Sequence, residues 1–235
     1  MSASTSASTD NRLLAALPPA GYERIAPFLE PVELRSGEVL YQSGQPIDYL
    51  YFPTGAMISL VSQMSGGAEI EVGVIGFEGV AGLPYLMGAE VSPLMNMAQM
   101  PGGAMRARAS ALRDEFERGG PLQRSLLRYA QSVMVMASQT AACNALHPLS
   151  ERLAKWLLMS HDRARGDELP LTHEFLSMML GVRRAGVTEA AVVLQTEGLI
   201  KYRRGHITVT DREGLEAFAC ECYPVMKAEF DSPVS

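Results

Sequence analysis

Five cations near the C-terminal end of the chain are the side chains best suited to specific chemistry: Arg183 and Arg184 together, then Lys201, Arg203 and Arg204. An arginine guanidinium is a planar fork of donors that pairs bidentately with guanine O6 and N7 or with phosphate oxygens. Close by, Ala185 and Thr188 offer methyl groups to a thymine methyl, and Glu189 can accept from cytosine N4. In this arrangement Arg184 reads a guanine edge, while Lys201, Arg203 and Arg204 neutralise phosphates and fix the docking register. The chemistry is recognition of duplex DNA. A formal net charge of −6 opposes it in sum but not in distribution. Between Ser150 and Arg212 ten Lys and Arg stand against eight Asp and Glu, with the cations clustered at 183–184 and 201–204.

The elements that must hold these residues are legible in the stretch LTHEFLSMMLGVRRAGVTEAAVVLQTEGLIKYRRGHITVTD, residues 171–211. Thr172 is a natural N-cap, and Phe175, Leu176, Met179 and Leu180 supply the apolar face of a first helix. Gly181 stands where a tight turn between helices needs positive φ. A second helix carries Val187, Ala191 and Leu194 inward and presents Arg183, Arg184, Ala185, Thr188 and Glu189 outward. Gly186 inside that helix costs roughly 1 kcal/mol against Ala, which a close backbone approach would justify. Two short strands, IKYRR and HITVT, join at Arg204-Gly205. The order predicts a winged helix-turn-helix, with Thr172 counted in the DNA-binding set.

Upstream, residues 1–10 are small and polar and read as a disordered tail. Residues 10–30 read as two short helices. From Val32 to about Arg108, short apolar runs alternate with glycines, as in an antiparallel sandwich or roll. Gly119-Gly120-Pro121 ends that region, and residues 121–146 contain no Gly and no Pro after Pro121 itself. A helix of that length spans about 39 Å. Leu126, Ala130, Val133, Ala137, Thr140 and Asn144 recur at coiled-coil spacing and are the expected dimer interface. His147-Pro148 reads as a hinge, followed by an amphipathic helix through Leu149, Leu153, Trp156, Leu157 and Ser160. The expected division is a tail at 1–10, a roll at 11–118, a dimerisation helix at 119–147 and a DNA-binding domain at 148–235.

Through T-x-E at Thr172–Glu174, Leu180-Gly181, Arg184, Val187, Leu194 and Gly198-Leu199-Ile200, the segment Leu171–Ile200 resembles the winged helix-turn-helix of the CRP/FNR superfamily of transcription regulators. The resemblance in domain order covers nearly the whole chain. It implies an α+β fold: an N-terminal antiparallel β-roll of the cyclic-nucleotide-binding type (a jelly roll), a long dimerisation helix and a C-terminal winged helix-turn-helix. The implied activity is transcription regulation by a homodimer on a pseudo-palindromic site. Implied partners are double-stranded DNA, a second copy of the chain and RNA polymerase, in the cytoplasm and away from membranes. Where the family's recognition helix often carries Arg, Glu and a later Arg, this chain keeps Arg184 but has Ala185 and Glu189, so the usual operator does not carry over.

The cofactor expected is none. Relatives that bind cyclic AMP hold its phosphate with Arg and its ribose with Glu in a Gly-Glu … Arg-Ser/Thr cassette. Here Val80 follows Gly79, and Ser92-Pro93 or Leu94-Met95 replaces Arg-Ser. Between Ser36 and Met105 there is no Lys or Arg, so a buried phosphodiester would lack a compensating cation. No Cys precedes Cys143 and no His precedes His147, so the roll offers no Cys or His ligand to an iron–sulfur cluster or a haem. Its seven methionines read as core. Cys143, Cys220 and Cys222 read as reduced thiols, with Cys220 and Cys222 as ordinary helix residues and no metal site. No nucleophile–base pair points to an enzyme. The acidic total and Glu189 favour a second reading, a signalling or interaction module whose roll and long helix bind a protein partner and whose DNA domain is vestigial.

Overall fold

A computed structural model describes residues 10–164 and 166–231. Apart from Asp10, the expected tail lies outside the described residues. Two compact units divide the chain: residues up to Val61 with Val74–Met134, and Ser62–Gly73 with Val135–Asp231.

Two short helices, α1 (Arg12–Ala15) and α2 (Pro19–Ile25), precede the strands of the roll. Asn11 caps α1: its side-chain oxygen accepts from the Leu13 and Leu14 N–H groups. The same buried amide donates to the carbonyls of Pro53 and Gly79 at 2.9 and 3.0 Å, so the cap also fastens the helix to the roll. Strands β1 (Glu30–Leu34), β2 (Val39–Tyr41), β3 (Tyr49–Pro53), β4 (Met57–Gln63), β5 (Glu69–Ile75), β6 (Met95–Met100) and β7 (Gly102–Arg108) form two sheets, ordered β1-β7-β3 and β2-β6-β4-β5. The pairs β1–β7, β3–β7, β2–β6 and β4–β6 are antiparallel. Leu34, Leu50, Phe52, Ile58 and Ala98 fill the roll interior. Two more helices, α3 (Leu83–Leu86) and α4 (Ala109–Glu117), complete the roll.

The long helix forms as expected: α5 is continuous over Pro121–Leu146. Burial differs among the residues expected to form the dimer seam. Leu126 and Ala130 are buried inside the first unit, with Leu122 and Tyr129 beside them. Tyr129 lies directly against Gly79, where a Cβ would collide with its ring. Val133 and Thr140 are half-buried, and only Ala137 and Asn144 are exposed. The large apolar residues facing outward on α5 are Leu127, Met134 and Leu146, at 49%, 62% and 77% exposure. Periodicity marks apolar stripes, but it does not say which of two adjacent ones the domain uses for its own core.

The second unit is built around α6 (Leu149–His161). This helix is not one-sided as its sequence suggests: all residues from Leu153 to Ser160, Lys155 included, are buried. Helices α7 (His173–Leu180), α8 (Arg184–Thr196), α9 (Arg212–Phe218) and α10 (Cys222–Asp231) and strands β8 (Glu168–Leu169), β9 (Ile200–Arg203) and β10 (His206–Val209) make up the rest. The strands pair in the order β8-β10-β9. Trp156 Nε1 donates to Glu71 Oε1 at 2.7 Å, tying the segment Ser62–Gly73 to α6. Arg212 binds Glu216 on its own helix and reaches Asp162, His161 and Tyr223, so one guanidinium pins α9 and α10 to the end of α6. No helix among the described residues is long and apolar enough to cross a membrane.

Candidate nucleic-acid interface

Thr172 caps α7 as its type demands, its hydroxyl oxygen accepting from the Phe175 N–H at 3.1 Å. Gly181 ends that helix in the left-handed region, at φ 64°. A side chain there would be strained, and its Cβ would lie 2.7 Å from Ile70 Cδ1. The turn delivers the chain to α8. Val187, Ala190, Ala191 and Leu194 are buried on its inner side, while Arg183, Arg184, Ala185, Thr188 and Glu189 stand at its N-terminal end, Arg184, Ala185 and Arg183 among the residues open to solvent there. Gly186 faces α6, where an added Cβ would sit 3.2 Å from Leu149 Cδ2. Its helix-propensity cost therefore accompanies a close helix–helix approach.

Beyond α8 the wing turns tightly. His206 pairs with Arg203 across the two-residue loop Arg204-Gly205. Both loop residues have positive φ, 50° at Arg204 and 85° at Gly205, as a type I′ hairpin turn requires. Arg204 thus occupies a backbone region that non-glycine residues rarely adopt, and which costs of order 1–3 kcal/mol. Lys201, Arg203 and Arg204 are all exposed. Thr172 lies beneath this turn, its methyl 3.3 Å from where a Cβ on Gly205 would stand.

His173 is the residue that joins these parts. It is buried and stacks on Tyr202 of the wing, ring centroids 4.0 Å apart. Its Nδ1 lies 3.0 Å from Thr188 Oγ1, which itself donates to the Arg184 carbonyl. Thr188 Oγ1 therefore accepts from Nδ1–H, and Nε2, buried without a hydrogen-bond partner among the described residues, carries the lone pair of a neutral imidazole. Burial, followed by the Arg184 charge, lowers the pKa of this histidine. The unfolded chain then binds a proton more readily than the folded one. The stability linked to His173 is full above the ordinary value of about 6.5 and is lost as pH falls through the lower folded value. Thermal melts across that range should show a fall in midpoint on acidification, partly abolished in His173→Phe. An equal slope in the variant would remove His173 as the cause.

A second constellation escaped the sequence. Cys143 and His147, near and just beyond the end of α5, meet Cys220, two residues before α10, and Cys222, its first residue, with their ligand-type atoms all within 4.8 Å of one another. Cys220 lies outside any helix, which corrects its reading as an ordinary helix residue. The C-x-C spacing was visible, but Cys143 stands 77 residues from Cys220 and His147 stands 75 from Cys222, and only the fold brings them together.

Residues 151–218 match the sequence model of the Crp-like helix-turn-helix domain. No curated protein matches the chain. Among solved structures, FixK2 from Bradyrhizobium japonicum superposes with a TM-score of 0.70 at 18% identity, over 82% of this chain and 98% of that one. TTHA1359, a CRP/FNR-family transcriptional regulator from Thermus thermophilus, gives 0.63 at 21% identity, over 81% and 98%. The c-di-GMP-responsive global regulator CLP of Xanthomonas campestris gives 0.63 at 15% identity, over 82% and 99%. The chain therefore has the fold of CRP/FNR-type transcription regulators and carries a Crp-like helix-turn-helix domain.

Proposed function

We propose that this chain is a cytoplasmic, sequence-specific DNA-binding transcription regulator, not an enzyme, acting as a homodimer on a pseudo-palindromic site with RNA polymerase as a downstream partner. One observation carries the reading. The cations expected to touch bases or phosphates, on α8 and on the wing, are open to solvent, while the opposite side of α8 is fully packed. The N-terminal end of such a helix enters the major groove, and the wing cations contact the adjacent backbone. The outward residues Leu127 and Met134 on α5 supply an apolar stripe for a second copy. A dyad would then set two α8 helices about one helical turn of DNA apart.

The proposed regulator does not depend on cyclic AMP. The roll holds a cavity of about 170 Å³ lined by apolar residues such as Leu60, Ile75, Val80, Leu83 and Val133, with no charged side chain in its wall. A phosphodiester there would be desolvated without a cation. Selection of bound fragments from genomic DNA with the purified protein, without added nucleotide, tests the whole reading. A single dyad-symmetric motif is the expected product. Recovery of fragments with no common motif would favour a protein-binding module instead.

A further inference from the structure

We infer that Cys143, His147, Cys220 and Cys222 form a closed tetrahedral site for a divalent zinc-class ion, independent of the DNA-reading surface. The donor set is three sulfurs and one imidazole, the composition that a borderline-soft ion prefers over calcium or magnesium. The spacing fits as well. In a tetrahedral site with Zn–S of about 2.3 Å and Zn–N of about 2.0 Å, two sulfurs stand about 3.8 Å apart, and sulfur and nitrogen about 3.5 Å. Cys143 Sγ and Cys220 Sγ are 3.6 Å apart, and Cys222 Sγ is 3.5 Å from His147 Nδ1.

The surroundings favour a metal over a cluster of thiols that merely pack together. His147 Nε2 lies 3.1 Å from Glu221 Oε2. A carboxylate on that nitrogen holds the proton there and leaves the Nδ1 lone pair directed at the cysteines, the outer-shell arrangement typical of histidine ligands. Gln139 Nε2 donates to Cys222 Sγ at 3.2 Å, a bond that a thiolate accepts more strongly than a thiol. Three thiolates around a divalent ion leave one negative charge. Lys155, itself buried and acting electrostatically on Cys143, brings the opposite sign. Cys143 and Cys222 are fully buried and Cys220 nearly so, which leaves no open coordination position for water. The ion would therefore be structural. It would clamp the start of α10 to the end of α5, two segments that lie far apart in the chain.

The test begins with elemental analysis of the untagged full-length protein, purified under reducing conditions. One zinc per chain is expected. Exchange for cobalt should produce the visible bands of a tetrahedral ion and a thiolate charge-transfer band. Glu221→Gln keeps all four ligands and should release zinc to a chelator about 10–100-fold more readily. Cys222→Ser should lose the cobalt bands. Metal-free protein whose three thiols titrate freely and take up no cobalt would overturn the site. So would a Cys143–Cys220 disulfide in the fresh preparation, or zinc held equally tightly in both variants.

Discussion

Arg184→Ala is expected to weaken operator binding by about 1–3 kcal/mol, roughly 5–150-fold, while leaving the melting temperature of the free protein unchanged. Both halves of that expectation follow from where the side chain sits. It is exposed in the first turn of α8, and its charge acts on His173 only as that ring takes up a proton. If it bonds a guanine bidentately, its loss relaxes preference at a single base pair and its symmetry mate. A phosphate contact would behave otherwise, weakening all sequences alike and lowering the salt slope by about one. Binding titrations on the selected motif and on variants at each position, at two salt concentrations, separate the cases. Undiminished affinity in this variant and in the Arg183/Arg184 double alanine would end the recognition-helix assignment.

Leu194→Ala acts from the other side of the same helix, and its cost is larger. Leu194 is fully buried, and truncating such a leucine removes both transfer energy and packing, about 2–5 kcal/mol. Against typical domain stabilities of about 5–15 kcal/mol this is a major fraction, and the second unit should melt well below the parent. DNA affinity falls too, but only as the folded fraction falls. Calorimetry together with titration below the new transition should show near-parental affinity in the folded variant. The pair of substitutions thus separates reading from scaffolding on one thirteen-residue helix. A melting point within error of the parent would show that α8 is held by something other than its buried face.

The winged helix-turn-helix was legible because all its signals are local. Cap, glycine, apolar spacing and basic hairpin fall within residues 171–211 and depend on nearest neighbours along the chain. The roll was legible as strands and glycines, and its two sheets follow that pattern. The order of strands within them had no such local signal. The long helix was legible in extent but not in orientation, since Leu126 and Leu127 are adjacent and equally apolar, and only packing decides which turns inward. The role of His173 was not legible, because its partners, Thr188 and Tyr202, come from the next helix and the wing. The Cys/His cluster depended on contact between residues 143–147 and 220–222, which no periodicity encodes.

The indole of Trp156 is the only one in the chain, and its N–H is bonded to the buried carboxylate of Glu71. Its fluorescence therefore comes from a single known environment, with no background from other tryptophans. Emission at short wavelength corresponds to an indole shielded from water, and a red shift to one that Glu71 and its segment no longer cover. The protein thus carries an intrinsic optical label for the docking of residues 62–73, readable in solution with and without DNA.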